Sequence, residues 1–187
     1  IMIEDDDNTV NIRNIAATTE DGWLVISGDA DDIVITATSL KKIDISGSGK
    51  LESAGVFNAE ELDLRVTGSG KIELNTAAQN VKCVISGSGK IELEGTAEQM
   101  SVDISGSGKI DAEKLKVKSC TANISGSGKC LVDVTDDLTS NISGSGSVYY
   151  VTKPLKMNSN ITGVGRIADA NSVEQDTTRI SLGKRKV

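Results

Sequence analysis

The sequence contains no histidine, and that absence removes Ser-His-Asp and Cys-His catalysis together with most zinc sites. Cysteine is scarce: Cys83, Cys120 and Cys130 are an odd number without metal-type spacing, and each stands where its neighbours in the chain carry an aliphatic residue. They read as small buried hydrophobes and leave the redox compartment undecided. Aromatic residues make up only 2% of the 187, and Pro154 is the single proline. The core must therefore be built from Ile, Leu, Val and small residues, as in a narrow stack of short strands. No apolar run approaches the length needed to cross a membrane, so the chain reads as soluble. A net charge of −7 argues against a nucleic-acid partner, whose phosphates demand a basic face. No signal peptide is visible, although the sequence starts at Ile1 and an export segment could have been removed before it.

What the chain has in abundance is glycine, in a repeated pair. Ser46-Gly47-Ser48-Gly49-Lys50 recurs with its glycines at Gly68 and Gly70, Gly87 and Gly89, Gly106 and Gly108, and Gly126 and Gly128. It then decays to Gly144 and Gly146, followed by Ser147, and to Gly163 and Gly165, followed by Arg166. Counting an incomplete copy at Gly28, the first glycines are separated by 19, 21, 19, 19, 20, 18 and 19 residues. Fixed self-similarity of this length marks a solenoid.

Apolar residues keep step with the glycines. Two positions before the first glycine stand Ile45, Val66, Ile85, Ile104, Ile124, Ile142 and Ile161; four after it stand Leu51, Ile72, Ile91, Ile110, Cys130, Val148 and Ile167. Period-two alternation on both sides predicts two short strands with one apolar face each, joined by a Gly-Ser-Gly corner and closed by a short polar return. Two glycines flanking one small residue allow positive φ at either position, which a sharp corner requires. The unit is too short for a helix plus two strands. The fold class expected is all-β, a right-handed parallel β-helix whose coils stack about 4.8 Å apart. Residues 1–21 are expected to form an N-terminal cap or edge strand, 22–168 the repeats, and 169–187 a closing segment, all within one structural domain.

Several residue groups are candidates for chemistry. Lys50, Lys71, Lys90, Lys109, Lys129 and Arg166 share one outward column, with Glu52, Glu73, Glu92 and Asp111 in the column beside it. Opposed-charge ladders explain this pairing, and a binding strip for an anionic glycan or surface is the functional alternative. Gly-Ser-Gly-Lys is not a phosphate loop, because a Ser or Thr must follow the lysine and Leu51 or Ile72 does. The acids Glu4, Asp5, Asp6 and Asp7, and the trio Asp29, Asp31 and Asp32, could hold a cation or simply face water. Asn123, Asn141 and Asn160 form an outward column that reads as an amide ladder. Tyr149 and Trp23 are expected to face outward. For an enzyme, Asp44, Asp103, Lys50 and Lys109 are the least implausible catalytic set, yet acids spread evenly along the coils argue for a scaffold.

The Ile-Ser-Gly-Ser-Gly-Lys-Ile repeats, over about Asp21 to Ala168, resemble the head GIN domain family of putative autotransporter adhesins from Gram-negative bacteria. The resemblance implies a right-handed parallel β-helix, pectin-lyase-like in shape but without those catalytic residues. It also implies export, often by a lipoprotein-type leader, and a role in adhesion with no binding residues to carry over. The expected function is thus a non-catalytic module at the cell surface, outer membrane or periplasm, presenting a repetitive face to a glycan or protein. No cofactor, metal or nucleic acid is expected, and a homo-oligomer is an option. The alternatives are a carbohydrate-active enzyme of pectin-lyase type, marked by a carboxylate cluster at an irregular coil, and a lipid- or envelope-binding module, marked by an open apolar end or cleft.

Overall fold

The computed structural model describes residues 2–5, 8–11, 16–20, 23–27, 33–36 and 41–172, the first five segments through their backbone pairing. The first strands are β1 (Met2–Asp5), β2 (Asn8–Asn11), β3 (Ala16–Glu20), β4 (Trp23–Ser27), β5 (Ile33–Thr36) and β6 (Lys42–Gly47). The long strands follow: β7 (Lys50–Gly68), β8 (Lys71–Gly87), β9 (Lys90–Gly106), β10 (Lys109–Gly126) and β11 (Lys129–Gly144). β12 (Ser147–Tyr150), β13 (Lys156–Gly163) and β14 (Arg166–Asp169) complete the set. β1 with β2, β2 with β5, and β3 with β4 pair antiparallel. From β6 onward every described pairing is parallel and joins equivalent positions of successive coils. The result is an all-β solenoid of about 7 turns at the expected spacing of about 19 residues.

The register follows the glycines. Ile72 pairs with Ile91, Ile91 with Ile110, and Ile110 with Cys130, while Gly87, Gly106, Gly126, Gly144 and Gly163 fall in one line. The inward columns are sealed: Ile45, Val66, Ile72, Ile85, Ile91 and Ile110 are all 0% exposed. The two glycines of each corner have separate duties. The first has φ between 109 and 122°, from Gly47 through Gly163, whereas the second does not appear among the positive-φ residues. The second instead lies against the isoleucine or valine two residues before the first glycine of the previous coil, as Gly128 does against Ile104.

The third side departs from the expected polar return. β7 to β11 run continuously around it, and Phe57, Thr76, Ala97, Leu115, Val117 and Val134 turn inward there. Small residues such as Ala97 and Thr76 let the chain bend tightly while staying paired; Thr76 Oγ1 also donates to the Phe57 carbonyl at 2.9 Å. Coil length varies at this side, with register shifts between Glu52 and Val56, Asp111 and Lys114, and Ala112 and Lys116. Pairing lapses at residues 151–155, where Pro154 has no N–H to give. Val151 N and Leu155 N still donate to Val132 O and Thr135 O, at 2.9 and 3.1 Å. At the last described coil the inward-phase residues Met157 and Ile161 are each 39% exposed, and Leu155 and Val164 are 83% exposed.

Cys83, Cys120 and Cys130 are free thiols within the core. Burial pushes all three well above their ordinary value, Cys120 to about 12. In a thiol titration with an aromatic disulfide at pH 8, the native protein should show no fast reaction at these positions, and all three should react once guanidinium unfolds it. Rapid native labelling would mean that the coils open locally.

Candidate functional site

The side of the solenoid that follows each corner carries the charged columns. Lys50 Nζ is 2.9 Å from Glu52 and 3.5 Å from Glu73; Lys71 bridges Glu73 and, at 2.6 Å, Glu92. Lys90 pairs with Glu92, and Lys109 with Asp111 at 2.6 Å. Each lysine thus serves the acid of its own coil, and the longer glutamates are also reached from the preceding coil. The Lys50 hydrogen bond and charge hold the Glu52 carboxyl below its ordinary range. Burial pushes Glu92 up, but hydrogen bonds from Lys71 and Lys90 outweigh it and leave that carboxyl lowered too. Glu52, Glu73, Glu92, Asp111, Glu113 and Lys114 line a groove of about 460 Å³ along this side, where Lys114 meets Glu94 at 2.7 Å. Among the described residues no cluster of acids has metal-site geometry.

The ladder changes after Asp111. The next residues in the acid column are Leu131, Tyr149 and Ala168, in register with one another. Tyr149 sits where the sequence reading puts it, in an outward column, yet only 5% of it is exposed. Lys129, from the coil before, places Nζ 4.6 Å from the ring centroid. Arg166, from the coil after, donates Nε and one terminal N–H to the Tyr149 hydroxyl at 3.0 and 2.5 Å. Burial pushes the phenol up, but Arg166 and the Ser147 hydroxyl outweigh it and bring it below its ordinary value. The cue in the sequence is the loss of acids at Leu131 and Ala168 and of a lysine at Ser147; Tyr149 fills the space these changes leave.

On the side that precedes each corner, Asn123, Asn141 and Asn160 fall in one column, and the amide ladder links the first two, while Asn160 is in register with Asn141 without a side-chain hydrogen bond to it among the described residues. Asn123 Nδ2 donates to Asp103 at 2.8 Å, and Asn141 Nδ2 donates to Asn123 Oδ1 at 2.9 Å. This ladder and the Ser105, Ser125, Ser143 and Thr162 column edge a shallow groove of about 420 Å³. The set Asp44, Asp103, Lys50 and Lys109 does not assemble. Asp44 and Asp103 are three pairings apart in one column, roughly 14 Å. Asp44 faces Arg65 at 3.9 Å, while Lys50 and Lys109 lie beyond the corner in the charged ladder. Asp6, Asp7, Asp29, Asp31 and Asp32 are outside the described residues; Glu4 and Asp5 belong to β1, and Trp23 to β4.

Comparison with known proteins places this geometry. Residues 1–154 match the model of a family described as "Putative auto-transporter adhesin, head GIN domain". A putative adhesin from Bacteroides fragilis superposes with a TM-score of 0.74 at 25% identity, over 83% of this chain and 76% of that one. A putative lipid binding protein from Parabacteroides distasonis gives a TM-score of 0.60 at 28% identity, over 70% and 62% of the two chains. A putative adhesin from the same organism has a TM-score of 0.66 at 22% identity, covering 87% and 82%, and shares the fold. No curated protein matches.

Proposed function

The chain belongs to the head GIN domain family of putative auto-transporter adhesins, and from that premise we propose that it is a non-catalytic adhesive module of the cell envelope. Its partner would be a glycan or protein at a surface, met by the outward columns. The observation that supports this reading most directly is the register: from β6 to β14 equivalent residues on the two sides flanking each corner pair coil upon coil. A periodic face of this kind suits many weak, repeated contacts, which a homo-oligomer would multiply. The candidate strip is the column Lys50, Lys71, Lys90, Lys109, Lys129 and Arg166.

A glycan array run beside turnover assays on acidic polysaccharides tests the proposal. Binding without turnover is expected, and charge reversal along the column Lys50, Lys71, Lys90, Lys109, Lys129 and Arg166 should weaken that binding with the circular-dichroism spectrum retained. Turnover that one carboxylate substitution abolishes would replace the adhesin with an enzyme. A second reading, lipid binding, draws on the neighbour of that name and on the exposed Leu155, Met157, Ile161 and Val164 at the last described coil. Co-flotation with uncharged phosphatidylcholine vesicles, lost when Leu155 and Val164 become Ser, would favour it.

A further inference from the structure

We propose that Lys129 and Arg166, held on the two coils that flank Tyr149, recognise the carboxylate or sulfate groups of an acidic glycan. The inference rests on the adhesive reading above and narrows it to one place and one ligand chemistry.

In the coils of Lys50, Lys71, Lys90 and Lys109 the acid column answers each cation, so this face is locally neutral. In the last three coils the corresponding positions are Leu131, Tyr149 and Ala168. Two cations remain there, and among the described residues neither Lys129 nor Arg166 makes an ion pair. Of the neighbouring acids, Asp111 is engaged by Lys109, and Asp169 Oδ1 accepts from Asn171 N. The face is therefore bipolar along the axis, neutral for four coils and positive at one end.

Both cations are positioned rather than loose. Arg166 spends Nε and one terminal N–H on the Tyr149 hydroxyl, which fixes the guanidinium and leaves its other donors exposed. A guanidinium already anchored loses less freedom when it binds an anion. Lys129 rests over the ring face, a weaker partner than a carboxylate, so an incoming anion can draw its ammonium away. Lys129, Ser147 and Arg166 are consecutive in one column, so the two cations originate about 10 Å apart along the axis. That separation suits a chain bearing charges on alternate sugars better than a single small anion. Exposed hydroxyls at Ser127 and Ser145, one per coil at the corner, stand beside the column to meet sugar hydroxyls. The chain's overall charge of −7 opposes non-specific attraction of polyanions, so their binding has to come from a local group of cations.

Calorimetric titrations with three probes decide the matter: tetragalacturonate, its fully methyl-esterified form, and a sulfated tetrasaccharide. Binding of either charged probe, with none to the ester, is the expected result. Lys129→Gln with Arg166→Gln should lower that affinity about tenfold or more and flatten its salt dependence. Tyr149→Phe, which keeps the ring but releases the guanidinium, should cost a smaller factor, and thermal melts establish that each variant is folded. Equal binding of acid and ester overturns this inference while leaving the adhesive reading intact. So does binding that survives the double substitution but is lost on charge reversal of Lys50, Lys71 and Lys90. Binding to phosphatidylserine vesicles through the same two residues, with no charged saccharide bound, overturns the glycan assignment. Failure to bind any saccharide or surface protein at all would remove the adhesive reading itself.

Discussion

Gly106→Ala is expected to lower the unfolding free energy by about 3 kcal/mol or more, among the largest effects open to a single methyl group in this chain. Gly106 has φ +116°, a region nearly closed to residues with a Cβ, and an added Cβ would lie 2.6 Å from the Gly87 carbonyl oxygen and 3.3 Å from Gly87 Cα. Neither contact can be relieved by a rotamer change, because both partners are backbone. The adjacent corner holds that backbone in place: Ser107 N donates to Gly87 O at 2.9 Å and Lys109 N to Gly89 O at 3.0 Å. Relaxing the strain would break hydrogen bonds to the previous coil. Guanidinium unfolding should show the midpoint falling with little change in slope. Ser107→Ala, at the exposed apex of the same corner, serves as the control and should stay within about 0.5 kcal/mol. A Gly106→Ala protein as stable as its parent would mean that the corner has an alternative conformation.

Gly128 and Ile104 should behave as one unit. An added Cβ at Gly128 would come within 2.5 Å of Ile104 Cγ2 and 3.2 Å of Gly108 O, and Ile104 is only 2% exposed. Gly128→Ala alone overfills the core and is expected to cost about 2 kcal/mol. Ile104→Ala alone leaves a cavity and should cost about 3 kcal/mol. Together the new methyl enters the space vacated by Cγ2, so the double variant should fall short of the sum by about 1 kcal/mol or more. Urea unfolding of the four proteins closes the cycle. Additive costs would show that Gly128 is there for its backbone and not for the room it leaves.

These two cases mark what can be read from the sequence. The columns of Ile72, Ile91, Ile110 and Cys130 are legible because period-two alternation is tied to a glycine that never shifts phase, and one register then fixes them all. The division of labour within each glycine pair is not legible, because positive φ and lack of room for a Cβ select the same residue. Gly95 makes the point from the other direction: it has φ +111° on the third side, outside any Gly-Ser-Gly corner. That side is hard to read because the coils differ in length there, so Phe57, Ala97 and Leu115 hold no constant offset from the glycines. The Lys and Glu columns are visible as spacing, and their pairing follows from alternating charge. Tyr149 illustrates the limit. Its outward phase follows from counting, whereas its burial depends on two long side chains from neighbouring coils, which spacing alone does not place.

The parallel pairing also has a mechanical consequence. Hydrogen bonds between coils run along the solenoid axis, so a pull on its two ends loads the coils in series and strips the terminal one first. Ile72 and its partner Ile91 are separated by 19 residues but by only one strand spacing, so each coil that peels away releases about 60 Å of extended chain. Because each coil touches mainly its neighbours, such a rod yields in steps rather than all at once. It would lengthen many-fold under tension and absorb work at every step, while the coils still stacked keep their outward columns aligned.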